Sequence, residues 1–371
     1  MRRDTWIAAD SIVSPLGYSS KENLDNIVAG KGGIDRVHDE SLSADSFFAA
    51  RMSDLLPEPG MTRLEAMAVL ATADVLKQTG VSPGRTAFIL STTKGNISFL
   101  EEGLADHPRI HLPALADFVG SRFGFARSLV VSNACISGVM ALLVARRLIT
   151  SGEADHVLVT GVDMLSKFIV SGFQSLQAMS PEVCRPFDAE RKGINLGEAA
   201  GAVLVTADSS LCMGASRIRI SGGGLSNDAN HISGPSRSGA ELAWAIQQAL
   251  EESNVTKEDI DYISAHGTAT AYNDEMEARA FTLAGLGDKP VHSLKGYYGH
   301  TLGASGVIEV ALNAESLRRD YLVSSRGYAQ LGVSQPLNVL TAGRTQLLKT
   351  CLKTASGFGG CNAAIILKKE N

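Results

Sequence analysis

Three residues of the chain combine reactive side chains with segments that could aim them at one another. Cys135 lies in SNACISGVMALLVARRLI, where a short apolar run ends and a helical pattern begins. His266 in AHGTAT and His300 in KGYYGHTLGASG follow apolar runs in the same way. A thiolate at a helix start lies near the positive end of the backbone dipole, which lowers its pKa and makes it a nucleophile. One thiol and two imidazoles at strand ends therefore indicate an acyl-transfer site.

A purely structural role for Cys135 is the alternative that these residues leave open. A free cysteine is often buried and then behaves as a small apolar side chain. The cysteines at 135, 184, 212, 351 and 361 are odd in number and contain no Cys-x-x-Cys pair. They fit neither a disulfide framework nor a zinc site, so we predict that the chain binds no metal.

The composition excludes several classes of protein. The 371 residues are 44% hydrophobic and 20% charged, as in a soluble globular protein with a large core. A net charge of −5 gives no general reason to bind nucleic acid or an anionic membrane. The start of the chain lacks a continuous apolar signal region, and the apolar stretch 136–149 is too short to cross a bilayer. We therefore expect a cytoplasmic protein with no nucleic-acid partner and no membrane span.

Short β-rich runs alternate with helical patterns along the whole chain, which predicts an α/β fold with helices on the sheet faces. Helices are predicted over 63–78, 239–253 and 304–318. The two halves also repeat one pattern, in which a later strand–loop–helix unit carries Cys135 or His300. We predict two pseudo-symmetric units, 1–210 and 211–371, in one compact body, and expect the symmetry to bring Cys135 and His300 face to face.

Five ordered blocks of sequence carry a family resemblance. They are SNACISG, RPFDAERKGINLGEAAGAVLV, AHGTAT with the following Asp274 and Glu277, SLKGYYGHTLGASGVIE and SGFGGCNAAIIL. Their order and spacing resemble those of the β-ketoacyl-acyl carrier protein synthases. The resemblance implies a thiolase-like fold, in which two βαβα halves form five layers in the order α-β-α-β-α. It also implies a homodimer, with a heterodimer as the alternative.

The activity that the resemblance implies is decarboxylative Claisen condensation of an acyl-cysteine intermediate with malonyl-acyl carrier protein. The substrates are acyl and malonyl thioesters, and no cofactor is expected, because the phosphopantetheine arm belongs to the carrier protein substrate. Condensation needs a nucleophile that holds the acyl chain, which Cys135 supplies, and donors to the enolate, which His266 and His300 supply. The pathway would be fatty acid or polyketide-like chain elongation, and the compact length favours a specialised product such as an aryl polyene.

The resemblance assigns further residues to the site. The backbone N–H groups of Cys135 and Phe358 would form the oxyanion hole, and the Phe358 ring would gate the acyl pocket because glycines flank it. Lys295 would be the active-site lysine, paired with Glu309. Thr268 and Thr270 would bind the pantetheine arm.

Neighbouring activities within the superfamily differ at identifiable positions. Starter-unit condensing enzymes carry Asn where His300 stands, and thiolases use a second cysteine in a glycine-rich loop. Cys361 lies in such a loop, but we interpret it as a small residue in the place of a usual Thr. A non-condensing partner subunit that determines chain length is the alternative function, although such partners commonly lose the nucleophile.

Docking of an acidic carrier protein is one feature in which the chain departs from the family. The helix predicted over 63–78, which usually offers several basic residues, carries Arg63 near its start and little else that is basic. We therefore expect Arg122, Arg127 or Lys167 to contribute to docking instead.

Overall fold

The computed structural model describes residues 3–212, 214, 216–229 and 233–370. The helices in these ranges are α1 (Ser20–Val28), α2 (Arg63–Thr79), α3 (Ser98–Glu101), α4 (Leu112–Phe123), α5 (Ser137–Thr150), α6 (Lys167–Ser175), α7 (Ala240–Ser253), α8 (Ala271–Leu283), α9 (Lys295–Tyr298) and α10 (Ser305–Arg319). The strands are β1 (Trp6–Val13), β2 (Ile34–Val37), β3 (Phe47–Ala50), β4 (Thr86–Ser91), β5 (Arg127–Val131), β6 (His156–Asp163), β7 (Leu196–Gly197), β8 (Ala199–Thr206), β9 (Arg217–Asn227), β10 (Tyr262–Ser264), β11 (Pro290–His292), β12 (Tyr321–Leu322), β13 (Asn338–Val339), β14 (Arg344–Thr345), β15 (Thr350–Gly357) and β16 (Cys361–Glu370).

The main sheet contains the same strand arrangement twice. Its order is β13-β11-β10-β15-β16-β9-β1-β8-β6-β4-β5. On one side β6, β4 and β5 are parallel, and β8 runs antiparallel between β6 and β1. On the other side β15, β10 and β11 are parallel, and β16 runs antiparallel between β15 and β9. The repeat expected from the sequence is thus present in the topology, while the division into units 1–210 and 211–371 stays a prediction.

The two sides of this sheet form two layers, and the helices form three further layers between and outside them. Helices α5 and α10 are central: α5 contacts β6 and β16, and α10 contacts β8 and β15. Helix α2 packs on β1 and β8 at one outer face, and α7 packs on β9 and β16 at the other. The resulting order is helix, sheet, helix, sheet, helix, as predicted.

The helices predicted from sequence periodicity begin and end within one residue of α2, α7 and α10. Helix α2 starts at a capping box formed by Thr62 and Glu65, and it ends at Gly80, whose φ is 64°. Helix α10 is buried on nearly every side, which is typical of a helix between two sheets. In the described ranges, no helix has the length and apolar character that crossing a membrane requires.

The two central helices cross close to their N-terminal ends. A Cβ placed on Gly138 of α5 would lie 2.7 Å from the backbone nitrogen of Val307, and one on Gly306 of α10 would lie 2.3 Å from that of Val139. Only glycine allows such an approach of two backbones. Because Cys135 precedes α5 and His300 precedes α10, this crossing brings the two residues together.

Candidate active site

Cys135, His266 and His300 converge at one buried point. Each can offer a ligand or donor atom that lies within 4.8 Å of the atoms offered by the other two. The two imidazole rings are 5.2 Å apart between centroids and nearly perpendicular, at 83°. All three side chains are buried, yet they line the same cavity. The structure therefore brings together the three residues that the sequence analysis singled out.

Cys135 is held on a tight turn between β5 and α5. Ala134 just before it has a φ of 44°, a left-handed conformation that costs free energy in a residue other than glycine. The hydroxyl of Ser137 fixes this turn: it accepts from the Asn133 N–H at 2.7 Å and donates to the Ala134 carbonyl at 2.6 Å. The strain is stored beside the nucleophile, as is typical of functional sites.

The expected lowering of the Cys135 pKa is wrong. Burial raises the pKa of this thiol to about 12, and the nearby thiol of Cys361 acts in the same direction. Lys295 and the Phe358 N–H group oppose the rise without reversing it. A buried thiolate loses more hydration than these two groups return. The local sequence indicates a helix start but does not indicate how deeply the thiol is buried.

His300 is fixed through both its backbone and its ring. Its N–H donates to the Asn195 carbonyl at 2.7 Å, and its own carbonyl accepts from the Gly197 N–H at 3.0 Å. The ring Nδ1 accepts from the Leu302 N–H at 3.3 Å and lies 2.9 Å from Ser305 Oγ. Because Nδ1 acts as the acceptor, the ring proton is on Nε2. Nε2 has no hydrogen-bond partner among the described residues, so it is a free donor at the cavity.

His266 is positioned by two buried carboxylates on α8. Glu277 accepts from the N–H groups of His266 and Gly267 at 2.8 and 2.6 Å. Asp274 accepts from the Thr268 N–H at 2.9 Å, and burial raises the pKa of Asp274 to about 7. These contacts explain why an acidic pair follows AHGTAT in the sequence. In the described part of the chain, Nδ1 of His266 has no hydrogen-bond partner.

Both imidazoles are neutral near pH 7. Burial lowers the pKa of His266 and of His300 well below the usual value, and the charge of Lys295 adds to the effect. A neutral imidazole with its proton on the cavity side donates a hydrogen bond without carrying charge. The pair is therefore suited to stabilising an oxyanion or enolate rather than to storing a proton.

A buried ionic cluster lies behind the histidines. Lys295 is hydrogen-bonded to Glu309, as predicted, and both are buried. Lys353 of β15, which the sequence analysis missed, lies with its Nζ 2.7 Å from the other carboxylate oxygen of Glu309. Although burial opposes ionisation of Glu309, the two lysines hold its pKa below the usual range. A single charged residue inside the strand sequence TCLKTASG was the available signal.

The cavity in front of the three residues has a volume of about 620 Å³. Thr268 and Thr270 line it, and their hydroxyl oxygens are 2.9 Å apart. Phe358 also lines it and is 40% exposed, with its ring 5.8 Å from that of Phe173, a residue that the sequence analysis did not select. Lys295, by contrast, is absent from the described residues that line the cavity. The predicted pantetheine and gate residues thus line the same cavity as Cys135, and their roles stay predictions.

Cys135, His266 and His300 are also the described residues that could hold a metal ion, since their ligand atoms are close together. A thiol and two imidazoles at this separation equally suit acyl transfer. The expectation that the chain binds no metal stays a prediction.

The geometry is typical of one class of protein, the acyltransferases that combine a cysteine with two neutral histidines on a duplicated five-layer fold. Two family models match the chain, "Beta-ketoacyl synthase, N-terminal domain" over residues 60–210 and "Beta-ketoacyl synthase, C-terminal domain" over residues 218–329. The chain therefore belongs to the β-ketoacyl synthase family. The predicted function, that of a β-ketoacyl-acyl carrier protein synthase, and the predicted enzyme class, acyltransferase, are confirmed.

Individual relatives agree with this assignment over nearly the full chain. A protein named as a polyketide beta-ketoacyl synthase 1 of Streptomyces halstedii is 31% identical over 99% of this chain and 98% of its own length. The 3-oxoacyl-[acyl-carrier-protein] synthase 2 of Vibrio cholerae is 26% identical, with 99% of each chain covered. The solved structure of the ishigamide ketosynthase/chain length factor superposes with a TM-score of 0.91 at 26% identity, covering 100% of both chains. The thiolase-like fold is thereby confirmed.

Proposed function

We propose that Cys135 carries the acyl chain during condensation and that His266 and His300 act on the malonyl thioester. In the first half-reaction, the Cys135 sulfur attacks the carbonyl carbon of an acyl thioester. The carrier thiolate leaves and takes up the proton that the cysteine loses. The observation that supports this role is the convergence of one thiol and two neutral imidazoles in a buried cavity.

In the second half-reaction, malonyl thioester loses carbon dioxide. The electron pair of the broken C–C bond moves to the thioester carbonyl and forms an enolate, which accepts hydrogen bonds from His266 and His300. The enolate carbon attacks the acyl group on Cys135. The cysteine leaves as thiolate and takes up a proton from solvent, and the β-ketoacyl chain remains on the carrier.

The oxyanion of the acyl-transfer step would be bound by the N–H groups of Cys135 and Phe358. The Phe358 N–H lies close enough to the Cys135 sulfur to affect its pKa. The segment before Phe358 packs directly against the Cys135 backbone, since a Cβ placed on Gly357 would lie only 2.9 Å from the Cys135 nitrogen. Thr268 and Thr270 would hold the pantetheine arm in the cavity mouth, and the Phe358 ring would gate the acyl pocket.

We propose an acyl carrier protein as the partner that delivers both thioesters. Helix α2 offers the carrier protein little positive charge, because Arg63 pairs with Glu198 at 2.9 Å. Arg122 is likewise engaged, with Glu58. Of the docking residues that we predicted, Arg127 and Lys167 remain, and both are exposed.

A dimer is the proposed assembly, either of two copies or with a non-condensing partner. The ishigamide structure contains a ketosynthase together with a chain length factor. The alternative that this chain is itself the non-condensing subunit is disfavoured by the intact cysteine and histidine constellation. The cytoplasmic location and the specialised, polyketide-like pathway stay predictions.

Mass spectrometry of intact protein tests the proposed nucleophile. Incubation with acyl-carrier protein should add the mass of one acyl group, and peptide mapping should place it on Cys135. Cys135→Ala should acquire no adduct, whereas Cys361→Ser should acquire the same adduct as the native chain. An adduct on Cys361, or none in a folded sample, would contradict the assignment.

A further inference from the structure

Lys353 is a fully buried lysine that the proposed mechanism does not use. It lies on β15 with its side chain 0% exposed. Its Nζ is 2.7 Å from a carboxylate oxygen of Glu309 and donates to the carbonyls of Ser264 and Ala265 at 3.3 Å each. A third donation goes to the carbonyl of Thr354. All of the ammonium's donor capacity is therefore used on fixed protein groups.

These partners connect the two histidine-bearing segments. Ser264 and Ala265 form the strand end that leads directly into His266. Glu309 belongs to α10, which begins just after His300, and it also bonds Lys295 of the segment before His300. Lys353 thus ties the segment that carries His266 to the ion pair formed by the two segments that flank His300.

The charge of Lys353 acts on the histidines more than on the nucleophile. After burial and Lys295, it is a further cause of the lowered pKa of both His266 and His300. The cationic side chains that act on the Cys135 thiol are Lys295 and Lys94. Glu277 also faces Lys353, but its carboxylate is occupied by the N–H groups of the His266 loop.

We propose that Lys353 is a positioning residue for the decarboxylating half-reaction, holding His266 against His300 and placing a second positive charge behind the pair. The negative charge of the enolate develops on the thioester oxygen that the two imidazoles contact. A fixed ammonium in a water-excluded site stabilises such a charge without reorganisation. The oxyanion of acyl transfer forms instead beside the N–H groups of Cys135 and Phe358, so Lys353 affects the two half-reactions unequally.

The test separates the half-reactions in one variant. Lys353→Met leaves Glu309 paired with Lys295, so no bare carboxylate remains in the core. This inference rests on the proposed function, and we expect kcat for decarboxylation of malonyl-carrier protein to fall about 10- to 100-fold. The KM for malonyl-carrier protein and the rate of Cys135 acylation should each change by less than about threefold. Lys353→Gln, which keeps a donor to the carbonyls but not the charge, should recover part of the loss.

A matched control is Lys369→Met, because Lys369 is also a largely buried lysine, paired with Asp320 at the far end of β16. It should leave both half-reactions unchanged. Acylation of Cys135 in the same sample counts the correctly folded sites, so a folding defect would lower both half-reactions in proportion. That proportional loss, or no loss in either, would overturn the role of Lys353. A native chain that neither acylates nor decarboxylates would instead refute the proposed function.

Discussion

Replacement of Gly306 by alanine probes the helix crossing that aligns the active site. A Cβ at this position would lie 2.3 Å from the Val139 nitrogen and 2.8 Å from the Gly138 carbonyl carbon. Ordinary van der Waals contact begins near 3.4 Å. The gap between 3.4 and 2.3 Å means that α10 must retreat from α5 by roughly 1 Å. Because the two nearest atoms are backbone, no side-chain rotation can relieve the contact.

The sign of the effect follows from two opposing contributions. Helix propensity alone favours alanine over glycine by about 1 kcal/mol. Overpacking against a rigid core typically costs about 1–3 kcal/mol, and here both partners are backbone. Because backbone cannot move aside, we place the cost at about 2–3 kcal/mol and expect a net loss of about 1–2 kcal/mol in the free energy of unfolding. A displacement of about 1 Å at the histidine end of α10 should also lower kcat by up to about 100-fold.

Urea unfolding followed by circular dichroism measures the first quantity, and a condensation assay measures the second. Gly172→Ala is the matched control, because Gly172 lies inside α6 and a Cβ there would meet no atom within 4 Å in the described part of the chain. It should be as stable as the native chain or slightly more stable. If Gly306→Ala behaved like Gly172→Ala, the close crossing would not be what positions the site.

The histidines, the thiol and the gate give three more expected outcomes. His266→Ala and His300→Ala should each nearly abolish decarboxylation. The double variant should lose little more, because both histidines act on one carbonyl. Additive losses in a carbon dioxide release assay would show that the two histidines have independent roles. Alkylation of Cys135 by iodoacetamide should rise about tenfold per pH unit between pH 7 and 9, because a pKa of about 12 keeps the thiolate fraction small. A plateau near neutral pH would instead restore the lowered pKa expected from the helix. Phe358→Ala should still acylate, since the backbone donor remains, but should discriminate less among carriers of graded chain length; an unchanged preference profile and turnover would make Phe358 a core residue.

Local sequence patterns were enough to predict three long helices and the three residues that converge at the cavity. Apolar periodicity and terminal signals such as Thr62 and Gly80 define helices without knowledge of the rest of the chain. Cys135, His266 and His300 were recognisable because each follows an apolar run at a turn. The repeated pattern then supplied the symmetry that places the first and last of these side by side.

Properties that depend on long-range contacts were not accessible from the sequence. The pKa of Cys135 is set mainly by burial, to which segments distant in the chain contribute. The role proposed for Lys353 depends on its ion pair with Glu309, and no local sequence pattern links these two residues. The paired role of Gly138 and Gly306 likewise appears only when two helices from different halves meet.

A single-turnover condensation tests the central claim most directly. Enzyme acylated on Cys135 is separated from excess substrate and mixed with carbon-labelled malonyl-acyl carrier protein, and products are followed by mass spectrometry. We expect the acyl mass to leave Cys135 as a β-ketoacyl chain appears on the carrier, lengthened by the malonyl-derived unit, with one equivalent of carbon dioxide released. Persistence of the adduct on Cys135 while malonyl-carrier protein remains unextended would contradict the assignment of this chain as a condensing enzyme.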